Sequence, residues 1–290
     1  MRRPTPLNVE TLKRHPLPPF GEGDKDERGS ILIIAGSRDV GGAALLCATA
    51  AMRAGAGRLQ VATVRSIAPH LAMAMPEAMV IGHDEDEDGG FAPGATASLV
   101  GRAGNADAIV AGPGLRGNDH CAALAAGLLG TGKAVALDAA LLRALPKRQG
   151  EAARASCPPV LLPHTGELAA LLECDEAEIE RDPLAAGRLC ADRYDAVTLV
   201  KGVESHIVAP DGSAFLYEGG GPGLGVSGSG DTLAGIVGGL LARGCDPLTA
   251  LLWGTWCHGE AGRRLGEKVG TLGYLARQIP DEVPALLESL

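Results

Sequence analysis

Short runs of apolar residues recur along the chain, and a helical or loop stretch separates each run from the next. The first run ends at Gly36-Ser37, and an alanine-rich helix is predicted over residues 43–54 before the second run begins. Such short runs, bounded by glycine, are typical of buried parallel strands. The strand-like runs cover residues 31–35, 59–63, 108–111, 134–138, 160–162 and 197–200. This alternation predicts βαβ units, and therefore an α/β fold with a mostly parallel sheet that helices cover on both faces.

The pattern changes in the C-terminal third of the chain. Residues 206–209 and 214–217 flank Asp211-Gly212, and this arrangement predicts a β-hairpin with a tight turn. A glycine-rich loop follows, then a helix that we expect to begin at Asp231 and a second helix over residues 247–265.

We expect an N-terminal arm followed by one domain over residues 30–290. Residues 1–29 are rich in proline and charge, which predicts an irregular N-terminal arm, and no linker or repeat divides residues 30–290. A chain of 290 residues can bury a full core. Apolar residues are 46% of the chain but aromatic residues only 3%, so alanine, valine, leucine and glycine must build that core.

Charge and cysteine content narrow the classes of protein. A net charge of −9 argues against nucleic-acid binding. The seven cysteines contain no CxxC pair, which is typical of small buried residues in a reducing compartment. Proline and polar residues follow Arg2-Arg3, so no secretion signal is predicted, and no apolar run reaches membrane-spanning length. We therefore expect a soluble cytoplasmic protein without a membrane or nucleic-acid partner.

The segment Gly228-Ser229-Gly230-Asp231 carries the clearest chemical signal. Its glycines allow a sharp turn, and the following amphipathic helix would present unpaired N–H groups to a phosphate. Asp231 would stand beside that phosphate and accept a proton from an attacking hydroxyl. A structural turn with a capping aspartate would have the same sequence, so the motif alone leaves both interpretations open.

Four further segments follow predicted strands, and ligands of open α/β sheets bind beyond the carboxyl ends of strands. We therefore expect these segments to converge on one edge of the sheet. Each has a simpler interpretation as well: a plain turn, a loop histidine or a solvated lysine. The segments are Gly36-Ser37, Gly112-Pro113-Gly114, Pro163-His164-Thr165-Gly166-Glu167 and Lys201-Gly202.

Other candidate motifs are weaker. The acidic run at residues 84–88 lacks EF-hand spacing and is interpreted as a solvated loop. His258-Gly259-Glu260 has neither partner cysteines nor HExxH spacing, so no zinc site is predicted. The chain has no Walker A sequence and no complete dinucleotide-binding fingerprint, so phosphate binding depends on the glycine loop before Asp231.

Taken in order, these segments resemble the ADP/ATP-dependent NAD(P)H-hydrate dehydratase family of the ribokinase-like superfamily. The resemblance extends from about Lys25 to the C-terminal helix. It implies a three-layer α/β/α fold without the N-terminal epimerase domain that some members carry. The segments that carry it are Lys25, Gly29, Gly42-Ala43-Ala44, Arg53-Ala54-Gly55-Ala56-Gly57, Gly112-Pro113-Gly114-Leu115, Pro163-His164-Thr165-Gly166-Glu167, Lys201-Gly202 with Ser205, Pro222-Gly223 and Gly228-Ser229-Gly230-Asp231.

The resemblance implies a metabolite repair enzyme, a lyase that restores hydrated NAD(P)H with ADP or ATP as co-substrate and Mg²⁺ on the nucleotide phosphates. It implies that Asp231 is the catalytic base and that the amides of Gly228, Ser229 and Gly230 form an anion hole. The implied hydrate-binding residues are Ala43, Gly114, His164 and Asp231. The implied nucleotide-binding residues are Lys201, Gly202, Val203, Glu204, Ser205 and Gly230. A homo-oligomer, a tetramer in many members, is also implied.

This chain departs from the family pattern at several positions. Arg116, Ala140 and Thr165 replace a glycine, an aspartate and a proline, and the loop before the catalytic motif lacks the usual asparagine and threonine. Two alternatives therefore stay open. One is a ribokinase-like kinase of a small alcohol, such as a thiazole or pyrimidine alcohol; the other is a catalytically silent nucleotide-binding relative.

Overall fold

Ten strands form one sheet in the computed structural model, which describes residues 3–19, 28–145 and 157–290. The strands are β1 (Thr5–Pro6), β2 (Ser30–Ile34), β3 (Arg58–Val64), β4 (Ala78–His83), β5 (Ala108–Ala111), β6 (Ala134–Leu137), β7 (Val160–Leu161), β8 (Val197–Val200), β9 (Ser205–Val208) and β10 (Ala214–Tyr217). Their order is β1-β10-β9-β8-β7-β6-β5-β2-β3-β4. Only β9 runs antiparallel to its neighbours among these strands, so the predicted mostly parallel sheet is confirmed.

Helices cover both faces of this sheet. In the described residues they are α1 (Val9–Lys13), α2 (Gly41–Arg53), α3 (Ala68–Ala74), α4 (Ala95–Ala103), α5 (Cys121–Leu129), α6 (Ala140–Arg143), α7 (Thr165–Leu172), α8 (Glu176–Arg181), α9 (Pro183–Tyr194), α10 (Ser229–Ala242), α11 (Pro247–Lys268) and α12 (Ile279–Leu287). One core contains α2, α10, α11 and α12, and the other contains α4, α5, α7 and α9. The predicted three-layer α/β/α architecture is confirmed.

Strand β2 shows why the central strands are apolar throughout. Ile31 and Ile33 point into one core, whereas Leu32 and Ile34 point into the other. Side chains alternate across a sheet, so a strand with helices on both faces needs apolar residues at every position.

Small residues allow helix α10 to lie very close to helix α2. A Cβ atom on Gly235 would overlap the carbonyl oxygen of Cys47, and one on Gly239 would overlap the carbonyl oxygen of Ala51. The contact therefore requires glycine on α10. It holds α10, which carries Asp231 in its first turn, beside α2 on the same face of the sheet.

The predicted irregular N-terminal arm is wrong for residues 3–19. Strand β1 pairs in parallel with β10, and α1 buries Leu12 completely. Trp253 Nε1 on α11 also donates a hydrogen bond to the carbonyl oxygen of His15, 2.7 Å away. The sequence did not predict these elements, because a two-residue strand and two buried leucines, Leu7 and Leu12, produce no periodic pattern. Arm residues 1–2 and 20–27, Lys25 among them, lie outside the described residues.

The C-terminal elements follow the prediction closely. Strands β9 and β10 form the expected hairpin, with Gly212 at a φ of +85° in the turn. Helix α10 begins at Ser229, two residues before the expected start, so Asp231 lies within its first turn. In the described ranges no helix has both the length and the apolar character that crossing a membrane requires.

Candidate active site

The four predicted strand-end segments converge on one edge of the sheet. They follow β2, β5, β7 and β8, and only β6 intervenes in the order β8-β7-β6-β5-β2. Gly36 N–H donates to the carbonyl oxygen of Pro113 at 2.8 Å, and Lys201 N–H donates to that of Pro163 at 3.0 Å. These bonds join neighbouring segments in pairs, so the predicted convergence is confirmed.

Gly114 lies against the start of helix α2. It has a φ of +62°, and a Cβ atom there would lie 2.6 Å from Ala43 Cβ and 2.8 Å from the carbonyl oxygen of Val40. Only glycine fits this conformation and this space. Ala43 and Gly114, both candidate substrate-binding residues, therefore form one small-residue surface at the sheet edge.

His164 has a structural role at the start of helix α7. Its Nδ1 accepts a hydrogen bond from Gly166 N–H at 3.1 Å, while Glu167 Oε2 accepts one from His164 N–H at 3.0 Å. This reciprocal pair is a capping box. Because Nδ1 is an acceptor, a neutral ring carries its proton on Nε2. The side chain remains 54% exposed, and its Nε2 lies 3.5 Å from Glu167 Oε1.

Lys201 and Asp138 form a largely buried ion pair. Lys201 Nζ lies 2.9 Å from Asp138 Oδ1 and 3.9 Å from Glu167 Oε2, and the Asp138 side chain is only 5% exposed. Ala139, the next residue, has a φ of +50°, which is a strained conformation for a residue with a side chain. No role was predicted for Asp138 or Glu167, although a carboxylate at the end of a buried strand was a signal for one.

The first turn of α10 presents unpaired backbone donors to this ion pair. Gly228 has a φ of +89°, and its carbonyl oxygen accepts the first helical hydrogen bond from Thr232 N–H. Ser229 N–H donates to the carbonyl oxygen of Val226 at 3.1 Å, so this amide has an acceptor within the loop, and its part in an anion hole stays a prediction. Among the described residues, the amides of Gly230 and Asp231 have no acceptor, as expected for a helix start.

Gly230 lies directly below the charged side chains. A Cβ atom there would lie 3.8 Å from Lys201 Nζ and 4.0 Å from Asp138 Oδ2. Helix dipole, free amides and a lysine ammonium therefore meet at one point, which suits an anion.

Asp231 has the protonation behaviour of a general base. Its pKa is raised to about 6, because burial and then the nearby Asp138 carboxylate disfavour the ionised form more than Lys201 favours it. A carboxyl group with this pKa is ionised near neutral pH yet holds a proton much better than an ordinary aspartate.

The other candidate nucleotide-binding residues form the turn between β8 and β9. This turn is open to solvent, and Val203 is 99% exposed. Ser205 begins β9 and pairs with Tyr217. A nucleotide can therefore approach Lys201 from this side without displacing protein.

The candidate metal sites remain without support in the described part of the chain, where no three ligating side chains cluster. In the acidic run, Asp86 accepts hydrogen bonds from Gly90 N–H at 2.8 Å and from Asn118 Nδ2 at 3.1 Å. These bonds show an ordered turn where a solvated loop was predicted. His258 lies beside Ser229 and belongs to no such cluster among the described residues.

The fold and the site define a ribokinase-like α/β protein with a candidate phosphate site. Its architecture matches that of a ribokinase-like protein from Enterococcus faecalis, with a TM-score of 0.80 over 98% of this chain and 95% of that one, at 24% identity. Residues 31–285 match the model of the NAD(P)H-hydrate dehydratase family, and the chain therefore belongs to that family.

Two relatives are more similar. The chain is 45% identical over 285 residues to the ADP-dependent (S)-NAD(P)H-hydrate dehydratase of Xanthomonas campestris, covering 98% of this chain and 96% of the relative. It also superimposes on the ADP/ATP-dependent NAD(P)H-hydrate dehydratase of Bacillus subtilis, co-crystallised with ATP and Mg²⁺. That match has a TM-score of 0.84 at 27% identity and covers 99% of both chains.

Proposed function

We propose that the protein uses an adenine nucleotide to dehydrate the S epimer of NAD(P)H hydrate back to NAD(P)H, with release of phosphate and AMP from ADP, or ADP from ATP. One observation carries the proposal: Asp231, whose pKa is raised to about 6, lies in the first turn of α10 beside free amides and Lys201. The similarity to the Xanthomonas campestris dehydratase supports this substrate over the small alcohol of a kinase.

The reaction has two steps. In the first step, Asp231 accepts the proton of the C6 hydroxyl. The hydroxyl oxygen then attacks the terminal phosphoryl group of the nucleotide and takes it from the leaving AMP or ADP. The C6–O bond then breaks with loss of phosphate and of a neighbouring ring proton, which restores the double bond. Phosphorylation matters because hydroxide is a poor leaving group and phosphate is a good one.

The amides of Gly230 and Asp231 stabilise the charge that develops on the transferred phosphoryl group. Removal of one such donor in other enzymes typically slows the reaction by about 100- to 1000-fold. Lys201 adds positive charge at the same point, 3.8 Å from the position of a Cβ on Gly230. Gly228 shapes the turn, because its positive φ starts the helix.

The substrate and the nucleotide are assigned to different residues around Asp231. Ala43, Gly114 and His164 contact the hydrate, and His164 presents a half-exposed ring for this contact. The nucleotide lies over the turn between β8 and β9. Its contacts come from Lys201, Gly202, Val203, Glu204 and Ser205, together with Gly230.

Mg²⁺ accompanies the nucleotide phosphates. The residues present suit this arrangement, because Asp138 and Glu167 provide two oxygen ligands beside Lys201 and the described residues contain no complete protein cage. The ion would neutralise phosphate charge when bound. The protein is further proposed to act in the cytoplasm as a homotetramer, without a nucleic-acid or membrane partner.

An assay with purified NADH hydrate, Mg²⁺ and either ADP or ATP separates the three candidate functions. The dehydratase restores the absorbance of reduced nicotinamide and releases one phosphate per hydrate. A small-alcohol kinase acts on its own alcohol and restores no absorbance, while a silent protein binds nucleotide without turnover. Absence of recovery with both nucleotides at stoichiometric enzyme would overturn the proposal.

The variant Asp231→Asn tests the assigned base. It keeps the size of the side chain but cannot accept the proton, so turnover should fall by about 100- to 10,000-fold. Nucleotide affinity, measured by calorimetry, should change little. Equal turnover in wild type and variant would show that Asp231 is not the base.

A further inference from the structure

His258 contacts the glycine loop before Asp231, although it belongs to none of the segments that carry the family resemblance and has no role in the proposed mechanism. It lies on α11, and its Nε2 is 3.0 Å from the Ser229 hydroxyl and 3.0 Å from the Ser229 carbonyl oxygen. Ser229 is the first residue of α10 and only 6% exposed. A partly buried imidazole therefore lies behind the helix terminus that faces the phosphate.

The two contacts determine which ring nitrogen carries the proton. A carbonyl oxygen can only accept, so Nε2 must be the protonated nitrogen of the neutral ring. The pKa of His258 is lowered to about 4, because burial and the Lys201 charge disfavour the protonated ring more than the bond to Ser229 favours it. The ring is thus neutral near pH 7, with Nε2–H directed at the Ser229 backbone.

The Ser229 carbonyl oxygen belongs to the first turn of α10 and accepts hydrogen bonds from two side chains as well. It accepts the bond from His258 Nε2 and a second bond from Thr232 Oγ1 at 2.7 Å. The peptide group that joins Ser229 to Gly230 is planar and trans, so its N–H points opposite to its carbonyl. Whatever holds the carbonyl oxygen toward α11 also aims the Gly230 N–H toward the site.

We propose that His258 is a positioning residue, which holds the Ser229–Gly230 peptide so that the Gly230 N–H meets the phosphoryl group transferred from the nucleotide. This inference rests on the proposed function, since it takes the Gly230 amide as an anion donor. His258 itself touches neither the substrate nor the nucleotide. Its effect is geometric, and a displacement of about 1 Å at such a donor can lower a rate by about 100-fold.

Two amide variants test the position of the proton donor. The amide nitrogen of Gln can occupy the place of the imidazole Nε2, whereas that of Asn corresponds to Nδ1 and leaves the carbonyl without this donor. We expect His258→Gln to keep kcat within about threefold and His258→Asn to lower kcat by about 10- to 100-fold. The KM for the hydrate should change much less, because the Gly230 N–H faces the phosphoryl group and not the hydrate ring.

A binding measurement tests the same point without turnover. In the proposed site, the Gly230 amide faces the terminal phosphate of ADP, which AMP lacks. The ratio of the AMP dissociation constant to the ADP dissociation constant therefore measures how well the Gly230 N–H is directed at that phosphate. Calorimetry with Mg²⁺ should give a ratio like that of wild type for His258→Gln and a ratio several-fold smaller for His258→Asn. A histidine that merely stabilised the fold would change the melting temperature and leave this ratio unaltered.

Thr255→Val is the matched control on α11. The Thr255 hydroxyl is buried without a hydrogen-bond partner among the described residues, so valine should preserve both kcat and the affinity ratio. Equal kcat and equal affinity ratios for the Gln and Asn variants would overturn the positioning role. If the wild-type protein fails to convert NADH hydrate into NADH, the proposed function is overturned. The ratio of dissociation constants still decides the role of His258 in that case.

Discussion

The Lys201 ammonium group lies 2.9 Å from Asp138 Oδ1, although the two residues follow strands that are not adjacent in the sheet. Asp138 follows β6, Lys201 follows β8, and β7 lies between them. The pair spans the end of β7 and meets at the N-terminus of α10. Both members act on the pKa of Asp231, but in opposite directions.

The pH profile of activity should reveal this opposition. An active base must be ionised, so kcat/KM should fall as the pH decreases through the Asp231 pKa of about 6. Asp138→Asn removes a negative charge that raises this pKa, so the acidic limb should move to lower pH. Lys201→Met removes a positive charge that lowers it, so the limb should move to higher pH. The measurement is kcat/KM between pH 4.5 and 8, roughly centred on the limb.

Only the position of the limb is diagnostic in this experiment, since both variants are expected to lower the rate at every pH. Arg263→Gln on the exposed side of α11 serves as the control, because this arginine pairs with Glu260 and Glu267 away from the site. Shifts of both limbs in the same direction would contradict the arrangement described.

Gly230 should be replaceable in the fold but not in the reaction. An alanine Cβ there meets Lys201 Nζ at 3.8 Å and Asp138 Oδ2 at 4.0 Å, which are ordinary contact distances. The methyl group would occupy the space in front of the free amides. Gly230→Ala should therefore lower kcat/KM by about 100-fold while the melting temperature stays within a few degrees of wild type.

Gly228→Ala provides the comparison, since Gly228 has a φ of +89° and its Cβ would overlap Leu46 Cδ1. This variant should lose stability as well as activity. Full activity in Gly230→Ala would mean that the anion does not approach that amide.

Much of the fold follows from local sequence patterns. The runs at residues 108–111 and 197–200 coincide with β5 and β8, because strands buried on both faces are almost entirely apolar, with Thr198 the single polar residue in these two. Strand β4 was not predicted. It is the last strand of the sheet, it is only half-buried, and Met79 within it is 61% exposed. An edge strand like this lacks the continuous apolar run that identifies its buried neighbours.

The segments of the site could be predicted from the sequence, but the contacts between its charged side chains could not. Glycine motifs and strand ends located Gly114, His164, Lys201 and Asp231 in the sequence. The pairing of Asp138 with Lys201 depends on which strand lies between β6 and β8, and short-range patterns do not contain strand order. The hydrogen bond from the Ser229 amide to Val226 is local, but it depends on the conformation of the glycine loop, which the glycine pattern alone does not specify.

The close contact between α2 and α10 should be sensitive to a single methyl group. An alanine at Gly235 would overlap the Cys47 carbonyl oxygen and lie 2.7 Å from Ala50 Cβ. Gly235→Ala should therefore lower the free energy of unfolding by about 1–3 kcal/mol, as expected for overpacking a core. Gly266→Ala is the matched control, because a Cβ there meets nothing within 4 Å inside helix α11. It should stabilise the protein by about 0.5–1 kcal/mol, and urea denaturation of both variants measures the contrast.

The N-terminal segment at residues 3–19 should contribute to the stability of the domain. Leu12 is completely buried in the core that contains α11, and the carbonyl oxygen of His15 accepts the Trp253 indole hydrogen bond. Leu12→Ala should therefore lower the free energy of unfolding by about 2–5 kcal/mol and change the fluorescence of Trp253. Leu272→Ala, at a leucine that is 71% exposed, should stay within about 0.5 kcal/mol of wild type. An unchanged free energy in Leu12→Ala would show that α1 does not pack against the domain in solution, since a leucine with no exposed surface cannot be truncated without losing contacts.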